Sequence, residues 1–401
     1  MVADFLVLEN PVQPYAWGSR TAIAEFLGRT SPSAGPEAEL WIGAHPKAPS
    51  RVVEPTGLGT LDVAVAAHPV PILGAAVYDR FGSELPFLFK VLAAASPLSI
   101  QAHPNQEQAR RGWNRENAEG VPVDAPHRNY RDPNHKPELV CSLSEPFLAL
   151  KGFRPVDEIA RRLEPVGGEE LRREIDRAAR ERGPAALRAL FARLLTLEPD
   201  EHGPVLARAG AEARARGPLD AAWDWVGRLL ERYPGDPGAL APLYLNLVTL
   251  SPGEALYLPA GELHAYLEGT ALEIMANSDN VLRGGLTPKH VDAPELLATL
   301  SFEPRVPERL RPVESGPGER VFRTPALEFE LGFLDVAADR PFRPGPGRGV
   351  EILLGLEGAP RLQAGASTCA LGRGRCVLVP AATRAYTLTG EGRAARARVP
   401  A

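Results

Sequence analysis

Two twenty-residue stretches set 121 residues apart constrain this 401-residue chain more than any other feature. Leu250 to Gly269 reads LSPGEALYLPAGELHAYLEG, and Leu371 to Gly390 reads LGRGRCVLVPAATRAYTLTG. In register they share Leu, Gly, Pro, Ala, Leu and Gly at 250/371, 253/374, 259/380, 260/381, 267/388 and 269/390. Each spells a turn, a strand of alternating apolar residues, a bend at proline and a second strand, the hairpin unit of an antiparallel barrel. The mismatch is as informative as the match, because His264 in the first copy stands opposite Ala385 in the second. The expectation is two duplicated barrels of which only the first keeps an imidazole at that interior position, so the second lacks a metal.

Between the strand-rich ends the texture changes. Segments such as EELRREIDRAARER, PAALRALFARLLTL and LDAAWDWVGRLLERYP repeat apolar residues at spacings of three and four, which predicts helices. Their arginines alternate with Glu and Asp, so they read as solvated faces rather than a basic patch. ALAPLYLNLVTL, after Gly238, reads as one more helical stretch, whereas the first 150 residues read as strands and loops with an occasional helix. The expected fold is mainly β with an α-helical insertion, in two barrels of the jelly-roll or cupin kind plus a helical domain. Residues 1–153 would begin a catalytic barrel, 154–245 form the helical domain, 246–318 complete the barrel, and 319–401 form a C-terminal barrel without metal ligands.

A formal charge of −5 offers no general attraction to nucleic acid or anionic lipid. No run of 18 apolar residues predicts a membrane span, and MVADFLVLENPVQ has acids but no basic region before its short apolar stretch, so a signal peptide is not expected. The expectation is a cytoplasmic monomer. Three cysteines, Cys141, Cys369 and Cys376, lack metal-type spacing and argue against a disulfide framework. Only five of the 45 basic residues are lysines (Lys47, Lys90, Lys136, Lys151 and Lys289), so each lysine asks for a reason that arginine would not meet.

Chemistry-bearing groups fall in three segments. In LSIQAHPN, alternation puts Ser99, Gln101 and His103 on one face of a strand. NHKPELV contributes Glu138, and LPAGELHAYLEG contributes His264. Two imidazoles, one carboxylate and one amide oxygen are groups a divalent cation accepts, and with one negative charge among them the ion stays a strong Lewis acid.

Together with YAWGS, AELWIGAHPKAPS and the run from Tyr257 to Asp292 (YLPAGELHAYLEGTALEIMANSDNVLRGGLTPKHVD), these segments resemble the type I phosphomannose isomerases across essentially the whole chain. The resemblance implies that Gln101, His103, Glu138 and His264 coordinate one Zn²⁺ per chain and that Arg283 is the catalytic arginine. The implied reaction interconverts mannose 6-phosphate and fructose 6-phosphate, with a small sugar phosphate as the only partner.

Such a reaction moves a proton between C1 and C2 of an open-chain sugar through an enediolate, which calls for an acid/base and a cation beside the oxyanion. Glu273, Tyr266, Lys136, Asp279 and His135 are open choices for the proton carrier. Glu273 lies nine positions past His264, an odd offset that puts it on the opposite face unless a bulge intervenes. Ser99, Lys136 and Lys289 suit a phosphate dianion, Trp17 and Tyr266 a sugar ring, and Asp279 is counted with the substrate-binding groups. Lys47 and Lys90 read as closing ion pairs behind the pocket, and His45, His127 and His290 as structural. Other readings are a non-enzymatic metal cupin that binds a phosphosugar, another phosphosugar isomerase, or an iron-dependent oxygenase. A fourth ligand at Gln101 leaves the last little room for oxygen.

Overall fold

The structure, a computed structural model, describes residues 3–54, 57–345 and 347–400. Helix and strand each account for 29% of the chain, so the fold is mixed α and β rather than mainly β. The strands form antiparallel sheets of ten, eight and three members.

The spine of the ten-stranded sheet is the strand His264–Ala276. Its second half pairs with Phe87–Ala94 and Glu138–Ser142, and its first half with Ile100–Ala102 and Phe147–Phe153. Its register slips between Tyr266 and Glu268. Gly269 holds φ +118° there, and a Cβ on it would stand 2.9 Å from Phe147 Cα, which is why this bend needs glycine. The slip reverses inside and outside, so Tyr266 before it and Glu273 after it line one cavity despite their odd separation.

The repeat is visible in the fold. Strands Ala255–Leu258 and Cys376–Val379 occupy the same offset in the two copies, and Gly253 and Gly374 open them at φ +82° and +78°. Beyond the shared proline the copies part. The first continues as the thirteen-residue His264–Ala276 strand, the second as the three-residue Thr387–Thr389 strand.

The first segment supplies both large sheets. Leu6–Glu9 pairs with Cys376–Val379 and Arg51–Glu54 pairs with Leu6–Glu9, both in the eight-stranded sheet, whereas Glu39–Ile42 joins Phe87–Ala94 in the ten-stranded one. The reason lies in the side chains: Leu6 and Leu8 enter one apolar cluster and Val7 another, so this strand needs cover on both faces.

Five helices, Val156–Leu163, Glu169–Glu181, Pro184–Leu195, Pro199–Arg216 and Ala221–Arg232, follow the predicted periodicity. They bury Leu163, Ile175, Leu190, Phe191 and Leu229 in one cluster with Phe153 and Phe302 of the flanking segments. Their exposed arginines pair along the helix, as in Arg173–Glu169 at 2.8 Å and Arg228–Asp224 at 2.9 Å. One local expectation fails. ALAPLYLNLVTL is helical only to Tyr244 and then becomes the strand Leu245–Leu250, where pairing with Phe147–Phe153 overrides helical spacing. Short helices Leu61–Ala67, Pro69–Leu73 and Ala75–Phe81, in an alanine-rich stretch, are among the occasional helices expected in the first 150 residues. Among the described residues no helix is long and apolar enough to cross a membrane.

Candidate active site

Strand Ile100–Ala102 ends directly at His103, and Asn105 then starts helix Gln106–Ala118 with a reciprocal capping box to Gln108. His103 is thereby clamped between a strand end and a helix start. Gln101 lies across from His264 on one side and from Arg283, on strand Leu282–Gly285, on the other. Glu138 opens its own strand beside Met275 of the spine. Four chain-distant segments therefore meet at one point.

His103, Glu138 and His264 are almost wholly buried, and their ligand atoms all lie within 4.8 Å of one another. Each Nε2 stands 3.3 Å from a different oxygen of Glu138. These contacts are too poorly aligned to be hydrogen bonds: Nε2 of both histidines and Oε2 of Glu138 have no partner. Two atoms bound tetrahedrally at about 2.05 Å to one ion lie about 3.3 Å apart, so the separations suit a divalent cation. The other ring nitrogens are already engaged, His103 Nδ1 with the carbonyl of Asn280 at 2.8 Å and His264 Nδ1 with that of Glu262 at 3.1 Å. This is how metal-binding histidines are usually held from behind. Burial lowers His103 to about 4, leaving a neutral ring with a free lone pair. Burial alone would raise the Glu138 carboxyl, but Lys136, 3.1 Å away, and the imidazoles hold it well below the usual carboxylate range.

A cavity of about 940 Å³ adjoins this trio. Gln101, Glu138, Lys136, Tyr266, Glu273 and Arg283 line it, as do Trp17, Ser99, Asp279 and Lys289. All the residues singled out in the sequence for substrate or proton transfer except His135 thus reach one space. Glu273 is fixed at both oxygens, by Tyr266 Oη at 2.8 Å and Lys90 Nζ at 2.9 Å. Burial and the neighbouring Glu273 carboxylate push the Tyr266 phenol well above its ordinary value, so it stays a neutral donor. Trp17 stacks on Tyr15 with ring centroids 5.8 Å apart.

Some expectations are corrected. Lys47 does pair with a carboxylate, Asp279 at 2.8 Å, but it stands in the cavity wall. His45, read as structural, also lines the cavity, 3.6 Å from Asp279. Burial would raise the Asp279 carboxyl, yet His45 and Lys47 together depress it below its ordinary value. His135 turns away to Glu328 at 2.7 Å. His290 lies in the cavity wall and His127 is exposed.

Sequence reasoning missed Arg131. It lines the cavity with Arg283 and Lys289, and among the described residues none of the three has an anionic partner. Burial and then Arg131 lower the Arg283 guanidinium; burial, Arg283, Arg131 and Lys47 lower the Lys289 ammonium. Nothing in an arginine-rich sequence marks Arg131 out.

A buried two-histidine, one-glutamate metal site opening onto a cation-lined cavity defines a metal-dependent protein for a small anionic ligand. The catalytic-domain model of type I phosphomannose isomerase matches residues 5–156. The mannose-6-phosphate isomerase of Escherichia coli (strain K12) is 44% identical over 394 residues, 97% of this chain and 98% of that protein. The human mannose-6-phosphate isomerase is 39% identical over 323 residues, 74% of this chain and 73% of its own. A zinc-bound mannose 6-phosphate isomerase structure matches with TM-score 0.91 at 42% identity, covering all of both chains. This chain belongs to the type I phosphomannose isomerase family.

Proposed function

We propose that the cavity interconverts D-mannose 6-phosphate and D-fructose 6-phosphate with one Zn²⁺ held by His103, Glu138, His264 and Gln101. The observation that carries this reading is the juxtaposition of the three partnerless ligand atoms with three unpaired cations in one cavity. When bound, the ion supplies Lewis acidity toward the carbonyl oxygen of the open-chain sugar.

The chain's own groups do the rest. Arg283, partly desolvated and unpaired, stabilises the charge that develops on the enediolate oxygens. Arg131 and Lys289 hold the phosphate dianion, with Ser99 as a hydroxyl partner. Lys136 does not suit that task, because its ammonium is committed to Glu138 at 3.1 Å. For the proton carrier, Glu138 faces the metal, Asp279 is a weak base between His45 and Lys47, and Glu39 holds Trp41 Nε1 at 2.6 Å. Glu273 is left to take the proton from one carbon and return it to the next, with Tyr266 orienting its carboxylate. Trp17 and Tyr15 offer the sugar an aromatic wall. The first barrel then works as the catalytic cupin domain, residues 154–245 as a helical domain, and 319–401 as a metal-free cupin-like barrel, in a monomer of the cytoplasm.

The test is fructose 6-phosphate formation from mannose 6-phosphate, before chelation, after it, and after Zn²⁺ is restored. Activity lost and regained is expected. Arg283→Ala is expected to keep stoichiometric metal and lose most turnover; parental turnover in that variant overturns its role.

A further inference from the structure

Asn280 lies fully buried between the spine strand and Leu282–Gly285. Its backbone carbonyl meets His103 Nδ1 at 2.8 Å. A carbonyl only accepts, so Nδ1 carries the proton and Nε2 keeps its lone pair. Its side chain grips a second loop. Oδ1 accepts the backbone N–H of Arg131 at 2.7 Å and of Asp132 at 3.3 Å, while Nδ2 donates to the carbonyls of Asp132 at 2.8 Å and Asn134 at 2.9 Å and to Asp132 Oδ1 at 3.2 Å. Asp132 returns the grip, accepting the N–H of Asp279 at 2.7 Å and the hydroxyl of Ser278 at 2.8 Å. One loop presents Arg131 and runs on to Lys136 and Glu138. The other presents Asp279 and runs on to Arg283.

We propose that Asn280 is a positioning residue that ties the metal centre to the anion-binding wall: its carbonyl fixes the His103 tautomer while its amide sets where Arg131 stands. A residue that merely filled space here would not need to satisfy both loops through one side chain. The inference rests on His103 being a metal ligand.

Asn280→Asp keeps size and the Oδ1 acceptor but turns the donor into an acceptor facing three others. The measurements are Zn²⁺ affinity of the metal-stripped full chain by competition with a chromophoric chelator, and the visible spectrum of the Co²⁺-loaded chain. Affinity is expected to fall roughly 10- to 100-fold, as for partners that support metal ligands elsewhere. The Co²⁺ bands are expected to shift and KM for mannose 6-phosphate to rise with them. Parental affinity and spectrum overturn the proposal, whatever happens to the melting temperature. Should Asn280→Asp fold poorly, Asp132→Asn removes one acceptor from the clasp; a smaller fall in affinity supports the role and parental affinity overturns it. A parent chain that binds no Zn²⁺ overturns the metal-ligand reading itself, a result distinct from failure of the clasp.

Discussion

Each copy of the repeat carries a buried tyrosine, Tyr266 and, one place out of register, Tyr386, that meets a glutamate and a cation from outside the copy, and the first of these groups lines the cavity. In the first, Tyr266 donates to Glu273 at 2.8 Å, Lys90 donates to the same carboxylate at 2.9 Å, and the ammonium lies 5.5 Å from the centre of the Trp41 ring. In the second, Tyr386 donates to Glu351 at 2.6 Å, Arg396 bonds Glu351 and Glu319, and its guanidinium lies 5.5 Å from the centre of the Phe342 ring. A tyrosine–glutamate–cation triad alone therefore does not mark the chemistry. What separates the copies is the second ingredient: partnerless imidazole and carboxylate atoms beside unpaired cations occur at the first, while Ala385 stands where His264 would be.

The largest expected effect tests that difference directly. His264→Ala removes one of two imidazoles from a buried trio, and it is expected to lose bound metal and at least a hundredfold in turnover, at the upper end of what weakened ligation costs. The converse, Ala385→His, is expected to leave metal at one per chain, because among the described residues no second group of ligand atoms waits there. Two metals per chain by elemental analysis would mean the copies differ by one side chain only.

Next come the triads. Lys90→Met leaves Glu39 and Glu273 as buried anions without their shared cation, and Arg396→Met does the same to Glu351 and Glu319. Each is expected to cost about 3–5 kcal/mol in denaturant unfolding, the usual penalty for breaking a buried pair from one side. Turnover should separate them. The folded fraction of Lys90→Met is expected to be severely slowed, through Glu273, while that of Arg396→Met keeps its kcat. Equal loss of kcat in both would mean that the second triad acts on the site.

Arg131→Ala is a milder test of the unpaired cations. A hydrogen bond to a charged group contributes about 1.5–3 kcal/mol, so KM for the sugar phosphate should rise roughly 10- to 100-fold with metal content unchanged. An unchanged KM would return the phosphate to Lys289 and Ser99.

How much of this was readable from sequence follows from the reach of each signal. The hairpin repeat was legible because its turn glycines and strand alternation are local, and Gly253 and Gly374 keep the same backbone conformation. Gln101, His103, Glu138 and His264 were legible as ligand types; the structure gathers His103, Glu138 and His264 and pairs Gln101 with His264 across neighbouring strands. Glu273 was left in doubt because parity alone cannot reveal a bulge, which is set by Phe147 packing on Gly269 from another strand. Arg131 and Asn280 were invisible for a similar reason. Their importance arises from loops more than a hundred positions apart in the chain, and neither residue type stands out where it lies. The assignment of Leu6–Glu9 to the C-terminal sheet was equally hidden, since an apolar strand does not name its partners.

The smallest expected effect lies at Cys376, which stands in the second copy where the first has Ala255. Burial pushes the Cys376 thiol up to about 12, and that of Cys141 on the ten-stranded sheet to about 12 as well. The thiolate is the reactive form, so both should resist an aromatic disulfide reagent in the native protein. Cys369, partly exposed on strand Ser367–Ala370, should react alone and leave turnover unchanged; all three should react in denaturant. The same burial gives a pH dependence. In the unfolded chain the thiols ionise near 8.5, so between that pH and about 12 the unfolded state binds fewer protons than the folded one and stability falls as pH rises. Replacing Cys376 with Ala, the residue of the first copy, should remove its share of that alkaline slope. A slope unchanged by Cys376→Ala would show that the thiol ionises as readily in the sheet as in the unfolded chain.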